Sequence, residues 1–456
     1  MEQKTLTALL EAAKKLDAGF AELPAFSERA AGSERIADVL NSVAERLHDN
    51  YPYFHPLYAG QMLKPPHPVA RLAYALAMWI NPNNHALDGG RATSAMEKEA
   101  VAEIAAMFGW KNFLGHLCSG GTMANLEALW VAGQLQPGKK ILASDQSHYT
   151  HRRISGVLRL EFESVAVDSL GRMYLDALKK RLARGDVGTV VVTMGATATG
   201  AVDPLGEILE LREKFEFRVH ADAAYGGYFT LARNLGEHAK AAFAKLPDVD
   251  SIVIDPHKHG LQPYGSGCVV FRDPAVGRLY KHDSPYTYFS SAELHLGEIS
   301  LECSRAGASA AALWATQKLL PLVRGGEFAQ GLERGREAAL KLHEKMRKDE
   351  RFVTAFAPEL DIVVFAPRAA SAGEASRWSR EIFAAAAKHQ LHLALAELPL
   401  AFFKNALGAV KKEDSGTVTC LRSVLMKPEH LDWVDRIWEI LQRAADETRV
   451  RASQHA

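Results

Sequence analysis

The run Asp250-Ser-Ile-Val-Ile-Asp-Pro-His-Lys-His-Gly260 reads as a buried strand that delivers a lysine to the edge of a sheet. Ile252, Val253 and Ile254 are apolar and β-branched, which suits a strand covered on both faces, as in a parallel sheet. Asp255-Pro256 then ends it, because proline has no N–H for a ladder and the pair favours a turn. Lys258 follows just past the strand's carboxyl end, the edge where open α/β sheets bind ligands. Flanked by His257 and His259, it is a candidate nucleophile towards a carbonyl, since desolvation or neighbouring cations make an ammonium easier to deprotonate. On this stretch alone, a surface lysine in a loop is the simpler reading.

Strands and helices alternate on both sides of it. The pattern predicts strands over 139–143, 188–193, 217–221 and 267–271, with helices over 124–132, 175–183, 205–215 and 306–319. Polar groups follow the strands: Ser144-Asp-Gln-Ser-His-Tyr-Thr-His151 with His148, Gly195-Ala-Thr-Ala-Thr-Gly200, and Asp222-Ala-Ala-Tyr-Gly-Gly227. Alternation with polar tips is the form of a doubly wound, mostly parallel sheet. Ahead of these lies a helix over 95–108, capped by Thr93 or Ser94. The small-residue turn Leu117-Cys-Ser-Gly-Gly-Thr-Met-Ala-Asn-Leu126 comes next and opens into the helix at 124. Amides and the dipole at such a helix start favour an anion, although a glycine-rich turn alone is weak evidence.

Three regions flank this body. Residues 1–50 carry apolar positions at helical spacing, such as Leu6, Leu9, Leu10, Ile36, Leu40, Val43 and Leu47, and either pack on the body or cross to a partner subunit. Residues 51–90 are rich in proline, glycine, histidine, asparagine and aromatics and read as pocket-lining loops, and 283–297 reads as a loop over the site. Past a break at 321–326, helices over 329–348, 376–389 and 431–445 and strands over 360–365 and 417–423 form a smaller α+β unit. The expected division is an N-terminal helical and loop segment (1–94), a large domain (95–320) and a small C-terminal domain (321–456).

Composition narrows the chemistry. The 456 residues are 48% hydrophobic and 24% charged, with 54 basic and 54 acidic residues, so no net field draws the chain to nucleic acid or an anionic membrane. Small-molecule chemistry is the expectation. Cys118, Cys268, Cys303 and Cys420 lack metal-ligand spacing and suit a reducing cytoplasm. The amino terminus lacks a signal-peptide pattern, and no apolar run approaches the roughly 20 residues of a membrane span.

Ser119-Gly-Gly-Thr-Met-Ala-Asn125, Asp145-Gln-Ser-His148, His220-Ala-Asp-Ala-Ala-Tyr225, Asp255-Pro-His-Lys258 and Ser304-Arg305 occur in one order at one set of spacings. In these motifs the chain, from about His55 to Met426, resembles the pyridoxal-5′-phosphate-dependent group II amino-acid decarboxylases, which include aromatic-amino-acid, glutamate and tyrosine decarboxylases. The resemblance implies the α/β architecture of fold-type I pyridoxal phosphate enzymes: a mostly parallel sheet flanked by helices, a small α+β domain and a helical N-terminal segment. It also implies a cytoplasmic homodimer with a shared active site.

It implies residue roles as well. Lys258 would hold the cofactor covalently, and Asp222 would keep the ring nitrogen protonated so that the ring accepts electrons from a breaking bond at Cα. His148 would stack on the ring and take part in proton transfer, with Ala224 on the opposite face and Thr197 near the ring substituents. Ser119, Gly120, Gly121, Thr122 and His257 would hold the phosphate. Tyr286 or Tyr288, with Tyr288 favoured, would protonate the carbanion, and Arg422 would pair with the substrate carboxylate. Two positions depart from the family: Met123 stands where glutamate is common, and Arg91 where proline is usual.

Tyr58, Gln61, Met62 and His85 offer surface suited to a flat aromatic side chain. Arg91 is the counter-evidence, because a guanidinium in the pocket would favour aspartate or glutamate. Decarboxylation of an L-amino acid, aromatic in preference, is the leading expectation. The alternatives are an acidic substrate, another reaction on the same cofactor (aldehyde synthase, lyase or aminotransferase), and a non-catalytic cofactor-binding protein.

Overall fold

The computed structural model describes residues 3–24, 33–281, 294–403 and 416–454. Helices α1 (Gln3–Ala18), α2 (Ser33–Leu47) and α3 (Pro68–Met78) come first. α3 falls where loops were expected. Pro68 starts it, at a position where a missing N–H costs nothing, and the His67 ring accepts from Val69 N. α4 (Leu87–Met107) begins well before residue 95, so Thr93 and Ser94 are interior residues and not its cap. Its non-helical break is at Gly90, and Thr93 Oγ1 donates to Asn84 Oδ1 at 2.5 Å.

The body then alternates: β1 (Leu114–Cys118), α5 (Gly121–Leu135), β2 (Lys140–Ser144), α6 (Thr150–Val157), β3 (Phe162–Val165), α7 (Leu175–Leu182), β4 (Val187–Thr193), α8 (Leu205–Glu210), β5 (Arg218–Asp222), α9 (Glu237–Ala244), β6 (Ser251–Ile254), β7 (Gly267–Phe271) and α10 (Gly307–Leu319). The strands form one sheet in the order β1-β7-β6-β5-β4-β2-β3. β3, β2, β4, β5 and β6 pair in parallel, and β7 runs antiparallel to both β6 and β1. The expected strands are present within a residue or two, and every residue of β4 and β6 is buried, as their valine and isoleucine runs require. β1, α6 and β3 were not anticipated. Leu-Gly-His-Leu-Cys and Phe-Glu-Ser-Val carry few β-branched residues, and pairing within the sheet overrides that weak propensity.

The second unit contains α11 (Glu327–Arg347), β8 (Phe352–Thr354), β9 (Ile362–Pro367), α12 (Ala372–Lys388), β10 (Ala394–Pro399), β11 (Thr417–Val424) and α13 (His430–Gln454). Its four strands pair antiparallel in the order β10-β11-β9-β8. One apolar cluster joins Val190, Val219 and Ile254 of the large sheet to Leu360, Ile362 and Val364 of the small unit, so the two share a core.

Because the parallel strands point the same way, their carboxyl ends lie on one edge. Register fixes the level: Thr193 pairs with Asp222, and Asp222 with Val253. The segments leaving β1, β2, β4, β5 and β6 therefore emerge together, which is the position of ligand sites in open α/β sheets.

Candidate active site

A cavity of about 330 Å³ opens at this edge. Ser119, Gly120, Gly121 and Thr122 follow β1, His148 follows β2, Thr197 follows β4, Asp222 ends β5 and Ala224 follows it, and His257 and Lys258 follow β6; all line the cavity. Motifs spread over some 140 residues of sequence thus meet in one place.

At one end, α5 begins at Gly121 with no side-chain cap from Gly120. The first intrahelical bond is Ala124 N to Gly120 O at 3.0 Å, so the amides before it are available to an anion. Gly120 has φ +155°, a backbone that favours glycine. At Gly121 an added Cβ would lie 2.6 Å from Asp255 Oδ2, so the turn presses against a carboxylate. Three ties, from buried to exposed, hold this turn. Glu97 Oε1 accepts from Leu117 N at 2.9 Å and Arg305 Nη1 at 2.8 Å, while Ser119 N donates to Glu302 at 2.9 Å.

Asp222 is buried and ionised. Burial alone would push its carboxyl up, but the hydrogen bond and charge of His151, with the charge of Lys258, hold it well below the usual carboxylate range. His151 Nε2 lies 2.7 Å from Oδ2, and Ala224 N donates to Oδ1 at 3.2 Å. His148 is pushed down by burial and by the charges of Lys258 and His151, against the pull of Asp222, and its Nδ1 meets Thr150 Oγ1 at 2.8 Å. His257 is also lowered by burial; its Nδ1 donates to Ser266 O at 2.7 Å.

Lys258 differs from expectation in its neighbours. It does not stand between two cations: the turn closed by Lys258 N to Asp255 O at 2.9 Å brings Nζ to 3.0 Å from Asp255 Oδ2. Asp255 Oδ1 is buried without a hydrogen-bond partner among the described residues. His259 turns away to Asp361, at 3.2 Å but without hydrogen-bond alignment.

The proposed substrate residues are not brought into the cavity lining. Arg422 is buried on β11 and its Nη2 reaches Gln61 Oε1 at 3.1 Å. Tyr58 is buried in a cluster with Tyr51, Tyr53 and His392. The His85 ring approaches Cys303 Sγ at 3.5 Å. Arg91 is exposed and lines a separate groove with Leu16, Ala73 and Trp314. Tyr286 and Tyr288 lie outside the described residues. Asn125, Thr150, Thr193, Tyr225 and Asp255 also line the cavity and had not been singled out. Tyr225 and Asp255 stood inside quoted motifs, whereas nothing in the sequence tied His151 to Asp222.

The fit to a phosphorylated aldehyde cofactor is good on these grounds. An uncapped helix start, an accessible lysine and a buried carboxylate share one cavity of small-molecule size. Comparison with known proteins agrees. The pyridoxal-dependent decarboxylase conserved domain matches residues 134–368, just over half of the chain. The L-tyrosine decarboxylase of Enterococcus faecium is 28% identical over 436 residues, covering 71% of each chain. A probable L-tyrosine/L-aspartate decarboxylase of Methanothermobacter thermautotrophicus is 29% identical over 315 residues, 67% of this chain and 82% of that one. Two solved structures share the fold. Mouse CSAD has TM-score 0.75 at 20% identity, covering 98% of this chain and 92% of that one. Oryza sativa TDC with PLP and tryptamine has TM-score 0.76 at 17% identity, covering 98% and 99%. The fold is therefore that of fold-type I pyridoxal phosphate enzymes, and the chain belongs to the pyridoxal-dependent decarboxylase family as an amino-acid decarboxylase that uses pyridoxal 5′-phosphate.

Proposed function

We propose that this decarboxylase acts on an aromatic L-amino acid, releasing CO2 and leaving the amine, and that its cofactor sits in the cavity at the large-sheet edge. One observation carries the placement: Lys258 and the buried Asp222 line the same cavity, with the uncapped start of α5 beside them. When bound, pyridoxal phosphate supplies an aldehyde for an amine and a ring that accepts the electrons of the broken Cα–carboxylate bond. Lys258 provides the amine that holds the aldehyde. Asp222 holds a proton at the ring nitrogen by charge and hydrogen bond. His148 would cover one ring face and Ala224 the other, and Thr197 would meet the ring substituents, as the resemblance to the family implies. Ser119, Gly120, Gly121, Thr122 and His257 take the phosphate. Tyr288, or Tyr286, returns a proton to Cα; this role rests on family resemblance alone.

The aromatic preference is supported by relatives that bear tyrosine in their names and by the exposed position of Arg91 outside the cavity. Arg422 is the partner for the substrate carboxylate, and Tyr58 and His85 belong to the same substrate proposal. A homodimer belongs to the same proposal. Ile36, Val39, Leu40, Val43 and Leu47 form an apolar stripe along α2 and are all exposed, so this stripe lacks cover among the described residues, whereas α1 is half-covered by α3. The division into 1–94, 95–320 and 321–456 stands as a proposal, with α4 running through its first boundary. A cytoplasmic location is likewise proposed, supported by four free cysteines. No helix among the described residues is long and apolar enough to cross a membrane.

The test is CO2 release by purified protein from tyrosine, tryptophan, dihydroxyphenylalanine, aspartate and glutamate. The aromatic substrates should be turned over fastest. A preference for aspartate or glutamate would overturn the substrate assignment, and no release from any amino acid would overturn the placement of the cofactor.

A further inference from the structure

His151 lies one turn beyond His148, at the start of α6, and its side chain is fully buried. Its Nε2 is 2.7 Å from Asp222 Oδ2. A carboxylate only accepts, so Nε2 carries the proton and donates it. Nδ1 is buried and has no hydrogen-bond partner among the described residues. The side chain's polar tie is therefore to Asp222 alone. Ala224 N holds the other carboxylate oxygen, so both oxygens of Asp222 are fixed where the group lines the cavity.

We infer that His151 is a positioning residue for the cofactor, donating to Asp222 so that the proton shared between this carboxylate and the ring nitrogen stays on the nitrogen. The inference rests on the reading of Asp222 as the ring-nitrogen partner. Burial favours the neutral carboxylic acid over the anion, and a hydrogen bond to the anion opposes that preference. A protonated Asp222 would offer O–H to an uncharged ring nitrogen, and the ring would then accept electrons less readily. The remaining groups near Asp222 are otherwise engaged. His220 bonds Asn125 Oδ1 and Ser251 Oγ, each at 2.8 Å, and burial lowers it to about 3, so it brings no charge. Lys258 Nζ is drawn to Asp255, and His148 to Thr150.

The test uses holoenzyme carrying cofactor labelled with ¹⁵N at the ring nitrogen, in wild type, His151→Phe and His151→Gln. Phenylalanine fills the space without a donor, and glutamine restores an N–H. The ¹⁵N shift should report a protonated ring in wild type and His151→Gln and an unprotonated one in His151→Phe. With cofactor content retained, kcat should fall by about tenfold or more in His151→Phe, with little change in KM and substantial recovery in His151→Gln. Should His151→Phe not fold, His151→Leu and His151→Asn make the same contrast. Asp222→Asn separates the two readings. A protonated ring in that variant removes the Asp222 assignment. A protonated ring and a kcat within about twofold of wild type in the donor-less His151 variant, beside an unprotonated ring in Asp222→Asn, removes the role of His151 alone.

Discussion

The residues proposed to hold the cofactor and those proposed to meet the substrate are placed differently in the fold. On the large-sheet side, Ser119 to Thr122, His148, Thr197, Asp222 and Lys258 each follow or end a strand of one sheet, and register places them on a common edge. Of the residues proposed for the substrate, none of which lines the cavity, Arg422 sits within β11, Tyr58 in an aromatic cluster, His85 against Cys303, and Arg91 on a different groove. Groups held by one rigid sheet suit chemistry that must stay fixed. Groups spread over the small sheet, loops and an exposed turn of α4 suit a specificity that changes without disturbing the cofactor.

Substitutions on each side break or sharpen that contrast. The largest effect is expected from Asp222→Asn, which keeps shape and withdraws charge: turnover should fall roughly a hundredfold, equivalent to about 2.7 kcal/mol. CO2 release and circular dichroism check it, and near-normal turnover would detach Asp222 from the chemistry. Gly121→Ala comes next, because its Cβ would stand 2.6 Å from Asp255 Oδ2 and push the start of α5 away from the anion. Overpacking of this kind costs about 1–3 kcal/mol, so the cofactor dissociation constant should rise about tenfold in an absorbance titration of apoprotein. An unchanged constant would mean that the turn is not the phosphate seat. The smallest effect belongs to Arg91→Ala, which should leave kcat/KM within about twofold for tyrosine and aspartate alike, as exposed substitutions usually do. A selective loss with aspartate would join Arg91 to the site and erase the contrast.

The same contrast explains what was legible beforehand. Lys258, Asp222 and His148 stand at the ends of apolar runs, and a run followed by a polar tip is a local pattern with a local meaning. His151 was quoted within its motif but acquires its role through a residue 71 positions away. The neighbour of Lys258 was misread for a related reason: Asp255 was seen as a strand terminator, and only the closed turn aims its carboxylate at Nζ. Proline, histidine and asparagine flank α3 and favour a loop reading of the sequence, although its interior, Val69 to Met78, is apolar and helix-compatible. Sequence alone leaves Arg91 open between a pocket guanidinium and a surface arginine, and the start of α4 at Leu87 places it on an exposed turn beside α1 and α3.

The account stands on Lys258 as the residue that holds the cofactor. Borohydride reduction of the holoenzyme followed by peptide mapping tests this directly. The label should be found on the peptide containing Asp255-Pro-His-Lys258, and Lys258→Ala should take up none. Label on a different lysine in wild type, or undiminished labelling of Lys258→Ala, would contradict the assignment of the cavity at the large-sheet edge as the catalytic site.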